Sequence, residues 1–218
     1  MSERYYIETD GQVYLVRHGD HWTLPSDADG LPFEIESHGR MVVQGEDVVY
    51  GAPHLDQHPY QWHHKDDIPG MDDAESIVRE AVHYTLPRVV AEAVIERDDR
   101  LLLVKPSRGF NEGFWTLPGG FVSYGESPAE CVAREVREEV GVECRIGECL
   151  GVETFMGQAS FYTWHMFFYR AEVMSDDFRP PADEIQDVRW FSLPEAVEAL
   201  RGIMERKVRS LLDERVLG

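Results

Sequence analysis

Cysteine is scarce in this chain, which has three among 218 residues and no C-x-x-C pair. An odd and sparse set is typical of free thiols in a reducing compartment rather than of a disulfide framework. Long apolar runs are also missing. None approaches the roughly 18 residues of a membrane-spanning helix, and the start of the chain, MSERYYIETDG, lacks the apolar stretch of a signal peptide. We therefore expect a cytoplasmic protein without a membrane partner.

Basic residues are few: 21 lysines and arginines stand against 41 aspartates and glutamates, which gives a formal net charge of −20. A surface this acidic repels polyanions, so a large nucleic acid is not the expected partner. A small nucleotide-derived substrate remains compatible, because a metal ion and local basic residues can override the overall field. The hydrophobic content of 43% and five tryptophans indicate a folded protein of one or two domains.

Residues 120–142, GFVSYGESPAECVAREVREEVGV, have the pattern of a loop, a helix and a second loop. Ser127 is a suitable N-cap, Pro128 suits the first helical position, and Glu130 stands three residues after the cap, as in a capping box. Gly141 can take the left-handed conformation that ends a helix. At about 100° per residue, five apolar side chains gather on the side that must face a core: Ala129, Val132, Ala133, Val136 and Val140.

Three glutamates, Glu135, Glu138 and Glu139, fall within roughly 100° of one another on a different side of this helix. A solvated acidic face is the usual explanation of such a cluster. Like charges at these spacings repel, however, and three together reduce stability unless a cation lies among them. Carboxylate oxygens are the ligands that hard divalent metals prefer. We therefore interpret the cluster as a metal site.

The same segment resembles the Nudix box. Gly120 is followed by five residues and Glu126, then by seven residues and the run REVREEVGV. That run fits the pattern R-E-U-x-E-E-x-G-U, with U aliphatic, at every position. The chain therefore resembles the Nudix hydrolases, which cleave nucleoside diphosphates linked to another group.

The resemblance implies a role for each position of the box. Glu135, Glu138 and Glu139 would bind Mg²⁺ or Mn²⁺. The backbone carbonyl of Gly119 would complete the metal shell, and Arg134 would hold the carboxylates by ion pairing. The metal would orient the diphosphate and lower the pKa of an attacking water.

A general base must take the proton of that water, and its position varies among Nudix subfamilies. One possibility is a box glutamate, with Glu138 and Glu139 as candidates; the other is a glutamate on a later loop. Glu184, in the loop RPPADEIQDVRW, is the candidate of the second kind, although surface charge is the usual reason for an acidic loop. Together with Arg134, these residues form the predicted catalytic set.

Three residues outside the box are candidates for substrate binding. Arg108 could hold a phosphate, and Phe110 and Phe155 could stack on a base or a ribose. The alternatives are a solvated arginine and ordinary core packing. No substrate-specific motif of the family is found around the box, so an ADP-ribose or nucleotide-sugar type of diphosphatase is favoured only by its frequency in the family. The competing function is a non-catalytic sensor of a nucleotide metabolite, although such regulators often lose box glutamates and this box is intact.

The resemblance also implies the fold: a Nudix-type α/β/α sandwich with a mixed sheet over residues 87–218. The strand patterns RVVAEAVIE and RLLLVKP agree with it, and an amphipathic closing helix is expected from Pro194 onward. Residues 1–70 predict a small β-rich N-terminal domain with a hairpin turn at Asp10-Gly11, and residues 71–86 predict a helical linker. By analogy with the family, a homodimer is expected.

Two weaker patterns lie in the N-terminal region. The run LVRHG around His18 resembles the histidine-phosphatase signature, but that family needs a far longer α/β domain after the motif. His54, His58, His63 and His64 could bind Zn²⁺ together with nearby aspartates. A polar loop is the simpler interpretation, since no cysteine is nearby.

Overall fold

The computed structural model describes residues 3–57, 59, 62–109, 111–156 and 162–217. The chain forms two compact units, one within residues 1–87 and 156–163 and the other within residues 88–155 and 164–218. Across the described residues, no helix is both long enough and apolar enough to cross a membrane.

Short strands dominate the first unit: β1 (Arg4–Thr9), β2 (Gln12–Tyr14), β3 (Val16–His18), β4 (His21–Thr23), β5 (Ile35–Val43), β6 (Glu46–Pro53) and β7 (His63–His64). Five of them form a sheet in the order β5-β6-β1-β2-β7, and β3 pairs with β4 in a separate hairpin. The predicted turn between β1 and β2 is confirmed: Asp10 and Gly11 take φ angles of 49° and 71°, as a tight two-residue hairpin requires.

Helix α1 (Ser76–Thr85) belongs to the core of this first unit. Its apolar residues Ile77, Val78, Ala81 and Val82 are buried in the same cluster as the side chains of the sheet. The structure thus places the helix inside the unit, where the sequence led us to expect a linker. An amphipathic pattern shows that one face is covered, but not which element covers it. The boundaries at residues 70 and 86 stay a prediction.

The second unit contains six strands: β8 (Arg88–Arg97), β9 (Arg100–Pro106), β10 (Gly119–Phe121), β11 (Cys144–Met156), β12 (Thr163–Val173) and β13 (Ile185–Ser192). The sheet has the order β11-β12-β8-β9-β13, and β10 pairs with β8. Strand β8 runs parallel to β12 and antiparallel to β9 and β10, so the predicted mixed sheet is confirmed.

Helices cover both faces of this sheet: α2 (Pro128–Glu135) one face, and α3 (Leu193–Ala199) with α4 (Gly202–Leu217) the other. Alternate residues of β8 enter the two cores, as expected for a strand buried on both sides. Ala91 and Ala93 pack in the cluster of the α2 face, whereas Val90 and Val94 pack in the cluster of α3 and α4. The predicted α/β/α sandwich is therefore confirmed.

The predicted capping box starts α2. Ser127 Oγ accepts the Glu130 N–H at 3.3 Å, and Glu130 Oε2 accepts the Ser127 N–H at 2.8 Å. The regular helix ends at Glu135, and Val136–Val140 form a π turn that the sequence pattern did not predict. Gly141, with φ of 80°, then ends the helix as expected.

The closing segment differs from the single helix expected from its apolar pattern. It is split into α3 and α4, and the break falls just before Gly202, which has φ of 59°. A left-handed residue cannot continue an α-helix, so the chain changes direction here. The periodic pattern resumes after the glycine, which is why the sequence alone suggested continuity.

Candidate metal centre and active site

The last glutamate of the acidic cluster is tied to β10. Oε2 of Glu139 accepts the backbone N–H of Gly119 at 2.9 Å. The pKa of Glu139 is raised to about 8. Burial is the largest cause, and the charges of Glu135, Glu184 and Glu138 act in the same direction, whereas the hydrogen bond from Gly119 lowers the pKa. A carboxyl group in this position resists ionisation unless a cation is close to it.

Arg134 gathers three carboxylates. Its guanidinium group lies 2.8 Å from Glu126 Oε1, 2.7 Å from Glu135 Oε1 and 3.1 Å from Glu138 Oε2. Nη2 also donates to the backbone carbonyl of Phe121 at 3.0 Å. The hydrogen bonds of Arg134, followed by that of the Ser123 backbone, hold the pKa of Glu126 at about 2. Arg134 thus connects the helix to the loop before it through a planar, charge-assisted network.

Two consecutive glycines allow carboxylates to approach β10. A Cβ atom on Gly120 would lie within 3.0 Å of the carboxylate of Glu135, and a Cβ atom on Gly119 would lie within 3.0 Å of Oε2 of Glu92 and of the Ala91 carbonyl oxygen. Any larger residue would collide with these groups. The Gly-Gly pair ahead of the helix is therefore required by the close packing of acidic side chains.

Glu92 is a site residue that the sequence analysis missed. It lies in β8 opposite Gly119 and is 6% exposed, and its Oε2 has no hydrogen-bond partner among the residues that the structure describes. Burial and then the charges of Glu139 and Glu135 raise its pKa well above the usual value. One signal was available: a charged residue in the middle of the otherwise apolar strand RVVAEAVIE.

Glu184 and Arg108 form an ion pair near the helix. Glu184 Oε1 lies 3.1 Å from Arg108 Nη2; the Arg108 side chain is largely exposed and that of Glu184 is partly exposed. The charge of Glu184 acts on both Glu135 and Glu139. A backbone hydrogen bond of 2.8 Å from Ser107 to the Glu184 carbonyl joins the two loops. The structure thus brings the predicted loop glutamate and the predicted phosphate-binding arginine together, beside the acidic cluster.

Of the two aromatic candidates for substrate binding, the structure describes Phe155. Phe155 stacks on Trp164 with ring centroids 6.2 Å apart and an interplanar angle of 8°, and it packs against the α3 and α4 core. Phe121, directly after the glycine pair, lies 5.5 Å from the same tryptophan and is 56% exposed. Phe110 lies outside the described residues. Phe121 and Trp164 were not predicted; no periodic signal distinguishes them from core aromatics.

The side chains that would hold a divalent metal are the carboxylates of the acidic cluster. Among residues 3–57, 59, 62–109, 111–156 and 162–217, no three carboxylate, imidazole or thiol groups converge closely enough to hold an ion. The box carboxylates instead take the N–H groups of Arg134 and Gly119. Their chemistry nevertheless fits a hard cation: all side-chain donors are carboxylate oxygens, and within the described part of the chain the buried Oε2 of Glu92 lacks a hydrogen-bond partner. The identity of the metal, Mg²⁺ or Mn²⁺, stays a prediction.

The N-terminal histidines do not form a metal site within the part of the chain that is described. His63 and His64 make up strand β7, and the His63 ring lies 4.3 Å from the Trp22 ring. His58 falls outside the described residues. Packing against an aromatic ring explains His63 without a ligand.

Comparisons with known proteins agree with this geometry. Residues 86–212 match the family model of the NUDIX domain. The NAD-capped RNA hydrolase NudC of Pseudomonas aeruginosa (strain LESB58) is 41% identical over 100 residues, which are 46% of this chain and 34% of that protein. The ADP-ribose pyrophosphatase of Methanocaldococcus jannaschii is 41% identical over 69 residues, 32% of this chain and 41% of that protein. The chain thus spans well under half of the length of these relatives.

Solved structures extend the comparison. A MutT protein from Methanosarcina mazei Go1 is 26% identical, with a TM-score of 0.53 over 60% of this chain and 96% of that chain. A Nudix hydrolase from Nitrosomonas europaea is 21% identical, with a TM-score of 0.55 over 85% of this chain and 89% of that chain. At this identity the second likeness concerns the fold alone, and it reaches beyond residues 86–212.

Proposed function

Because the chain belongs to the Nudix family, we propose that it is a divalent-metal-dependent pyrophosphohydrolase that cleaves the diphosphate link of a nucleoside diphosphate joined to another group. One observation carries the proposal: the complete box is packed as a unit. Arg134 pairs with Glu135 and Glu138, and the Gly119 N–H holds Glu139. A merely solvated acidic face would have no need for this network.

Glu135, Glu138 and Glu139 would hold the metal together with the carbonyl oxygen of Gly119. When bound, the metal would neutralise the diphosphate and activate a water molecule. Arg134 would keep the carboxylates in position, since it already contacts two of them.

In the reaction, the water oxygen attacks one phosphorus of the diphosphate, a new P–O bond forms, and the bridging P–O bond breaks. The products are a nucleoside monophosphate and a phosphorylated partner. We assign the uptake of the water's proton to Glu184, whose charge acts on Glu135 and Glu139. Arg108, 3.1 Å from Glu184, would orient this base and attract the phosphates.

A small substrate of the ADP-ribose or nucleotide-sugar type fits the chain best. The ADP-ribose pyrophosphatase relative supports this class, whereas the NudC relatives are named for capped RNA. A net charge of −20 opposes the approach of a long polyanion. The exposed ring of Phe121 beside Trp164 offers a surface on which a base could stack.

The proposal is tested by a panel assay of the purified chain with Mg²⁺ or Mn²⁺. The panel contains ADP-ribose, NADH, diadenosine polyphosphates, nucleotide sugars, nucleoside triphosphates and a short NAD-capped RNA, and phosphate release is read after coupling to a phosphatase. Glu138→Gln should lower turnover by at least about 100-fold, because it removes a metal ligand and not merely a group that orients one. Glu143→Gln, an exposed glutamate just beyond the box, is the matched control.

The outcomes separate the competing functions. Metal-dependent turnover of one compound, lost in Glu138→Gln and kept in Glu143→Gln, supports the enzyme and names its substrate class. Binding of one compound without any turnover would instead favour a sensor. Preference for the capped RNA over ADP-ribose and the nucleotide sugars would overturn the small-substrate assignment.

A further inference from the structure

A single loop residue, Ser107, holds the segment that carries Glu184. Its backbone N–H donates to the Glu184 carbonyl oxygen at 2.8 Å, and its hydroxyl donates to the Asp183 carbonyl oxygen at 2.9 Å. Both donors of Ser107 thus go to consecutive carbonyl groups of the loop before β13. The backbone at the proposed base is therefore fixed by one residue of the loop that follows β9.

The end of strand β9 explains why its next residue takes this role. Strands β9 and β13 pair antiparallel, and Pro106 lies opposite Ile185 as the last residue of β9. Proline has no N–H to donate to a neighbouring strand. The register also shifts between Ile185 and Asp187, as at a β-bulge. Ser107 supplies from the loop the hydrogen bonds that the strand no longer offers at this end.

The backbone of Glu184 is held from its other side as well. Its N–H donates to the Pro181 carbonyl oxygen at 3.0 Å, and the Ile185 N–H donates to the same oxygen at 2.9 Å. The Glu184 side chain, in contrast, is partly exposed and pairs with the exposed Arg108. A fixed backbone that presents an accessible carboxylate is suited to a group that takes a proton from a bound water.

Arg108 directly follows Ser107, so the same anchor holds both partners of the ion pair. The loop that carries Arg108 is closed by Gly113, whose N–H donates to the Pro106 carbonyl oxygen at 2.9 Å. The distance of 3.1 Å between Arg108 and Glu184 thus joins two side chains whose backbones are already connected through Ser107.

We propose that Ser107 is a positioning residue of the active site, which acts through Glu184 and not on the substrate. Its hydroxyl holds the loop so that the Glu184 carboxylate reaches the attacking water. This inference rests on the proposed function, because it takes Glu184 as the group that accepts the water's proton. A displacement of about 1 Å at a reacting group can lower a rate about 100-fold, so the loss of one loop hydrogen bond is sufficient to affect turnover.

The test starts with kcat of the purified full chain with Mg²⁺ and ADP-ribose, or whichever compound of the panel the parent hydrolyses fastest. Ser107→Ala removes the hydroxyl and keeps the backbone N–H. We expect kcat to fall about 5-fold to 30-fold, with KM and the Kd for Mn²⁺ within about twofold of the parent values. Ser107→Thr keeps a hydroxyl and should restore kcat to within about threefold of the parent.

The decisive measurement repeats Ser107→Ala in the Glu184→Gln background, at high enzyme concentration. There the residual kcat should change less than about twofold, because the group that Ser107 positions is gone. The matched control is Ser175→Ala, which should keep the parent kcat. Ser175 is an exposed serine whose hydroxyl also makes a backbone hydrogen bond, to the Asp177 N–H at 3.0 Å.

Two results would overturn the inference: a kcat of Ser107→Ala within about twofold of the parent, or an equal loss in both backgrounds, which indicates a merely structural serine. If Ser107→Ala fails to fold, Ser107→Cys is measured in its place, because a thiol is a weaker donor of similar size. Failure of the proposed function gives a different result, since the parent would hydrolyse no compound and Glu138→Gln would change nothing.

Discussion

Gly119 donates its backbone N–H to Oε2 of Glu139 across 2.9 Å, so strand β10 directly fixes the last of the three glutamates of the acidic cluster. The two residues are twenty positions apart in the sequence. This hydrogen bond partly compensates the burial of a carboxyl group whose neighbours are also acidic. We therefore expect metal binding at the proposed site to be coupled to folding.

The first prediction concerns pH. The pKa of Glu139 is raised from 4.5 to about 8 in the folded chain. The folded state therefore holds a proton that the unfolded state has lost between these values, and stability should fall as pH rises from about 4.5 to about 8. Urea unfolding in the presence of a chelator should show this decline, and Glu139→Gln should reduce its slope. An unchanged slope in the variant would contradict the assignment.

The second prediction has the opposite sign. Hydrogen bonds from Arg134 hold the pKa of Glu126 at about 2. The ionised Glu126 side chain therefore stabilises the folded state above pH 4.5, and this stabilisation is lost as pH falls towards 2. Glu126→Gln should cost about 0.5–1 kcal/mol of stability at pH 7, because the pair is partly exposed. At pH 2 the difference should vanish. Equal losses at both pH values would mean that shape, not charge, is responsible.

The third prediction separates the two glycines. Gly119→Ala would place a methyl group against the Ala91 carbonyl oxygen, which cannot move without distorting β8. We expect a loss of about 1–3 kcal/mol in unfolding free energy. Gly120→Ala would meet the end of the Glu135 side chain, which can rotate away. That variant should remain nearly as stable as the parent and lose metal-dependent turnover; the reverse pattern would refute this geometry.

The fourth prediction concerns the proposed base. Glu184→Gln should lower kcat by about 100-fold to 10,000-fold, since it removes the group that takes the proton. Arg108→Ala should mainly raise KM. The pH profile of kcat provides the check, because the acidic limb should disappear in Glu184→Gln. A kcat within threefold of the parent would transfer the role to a box glutamate.

Local signals in the sequence were sufficient to predict where helix α2 starts. Ser127, Pro128 and Glu130 determine its beginning through short-range hydrogen bonds that a pattern can reveal. The contacts of Glu92 are of a different kind, because they depend on the pairing of β8 with β10, some 27 residues along the chain. No periodicity predicts which buried strand position will carry a charge.

Other differences also arise from tertiary packing. The sequence could suggest Phe155 as a stacking residue, but only the fold reveals that Trp164 already covers its face. The break before Gly202 depends on one backbone dihedral that an apolar pattern does not register. The ion pair of Arg108 with Glu184 joins two loops that lie 76 positions apart, and the Ser107 hydroxyl, which donates to the Asp183 carbonyl, joins the same two loops.

The π turn at Val136–Val140 has a consequence for how this segment can change over time. A wide turn gives up regular helical hydrogen bonding to accommodate an extra residue, and such turns persist mainly where function requires them. Losing a single codon here would relax the backbone into an ordinary helix and rotate Glu138 and Glu139 relative to Glu135. The length of this segment, and not only its residue types, therefore sets the positions of Glu138 and Glu139 relative to Glu135.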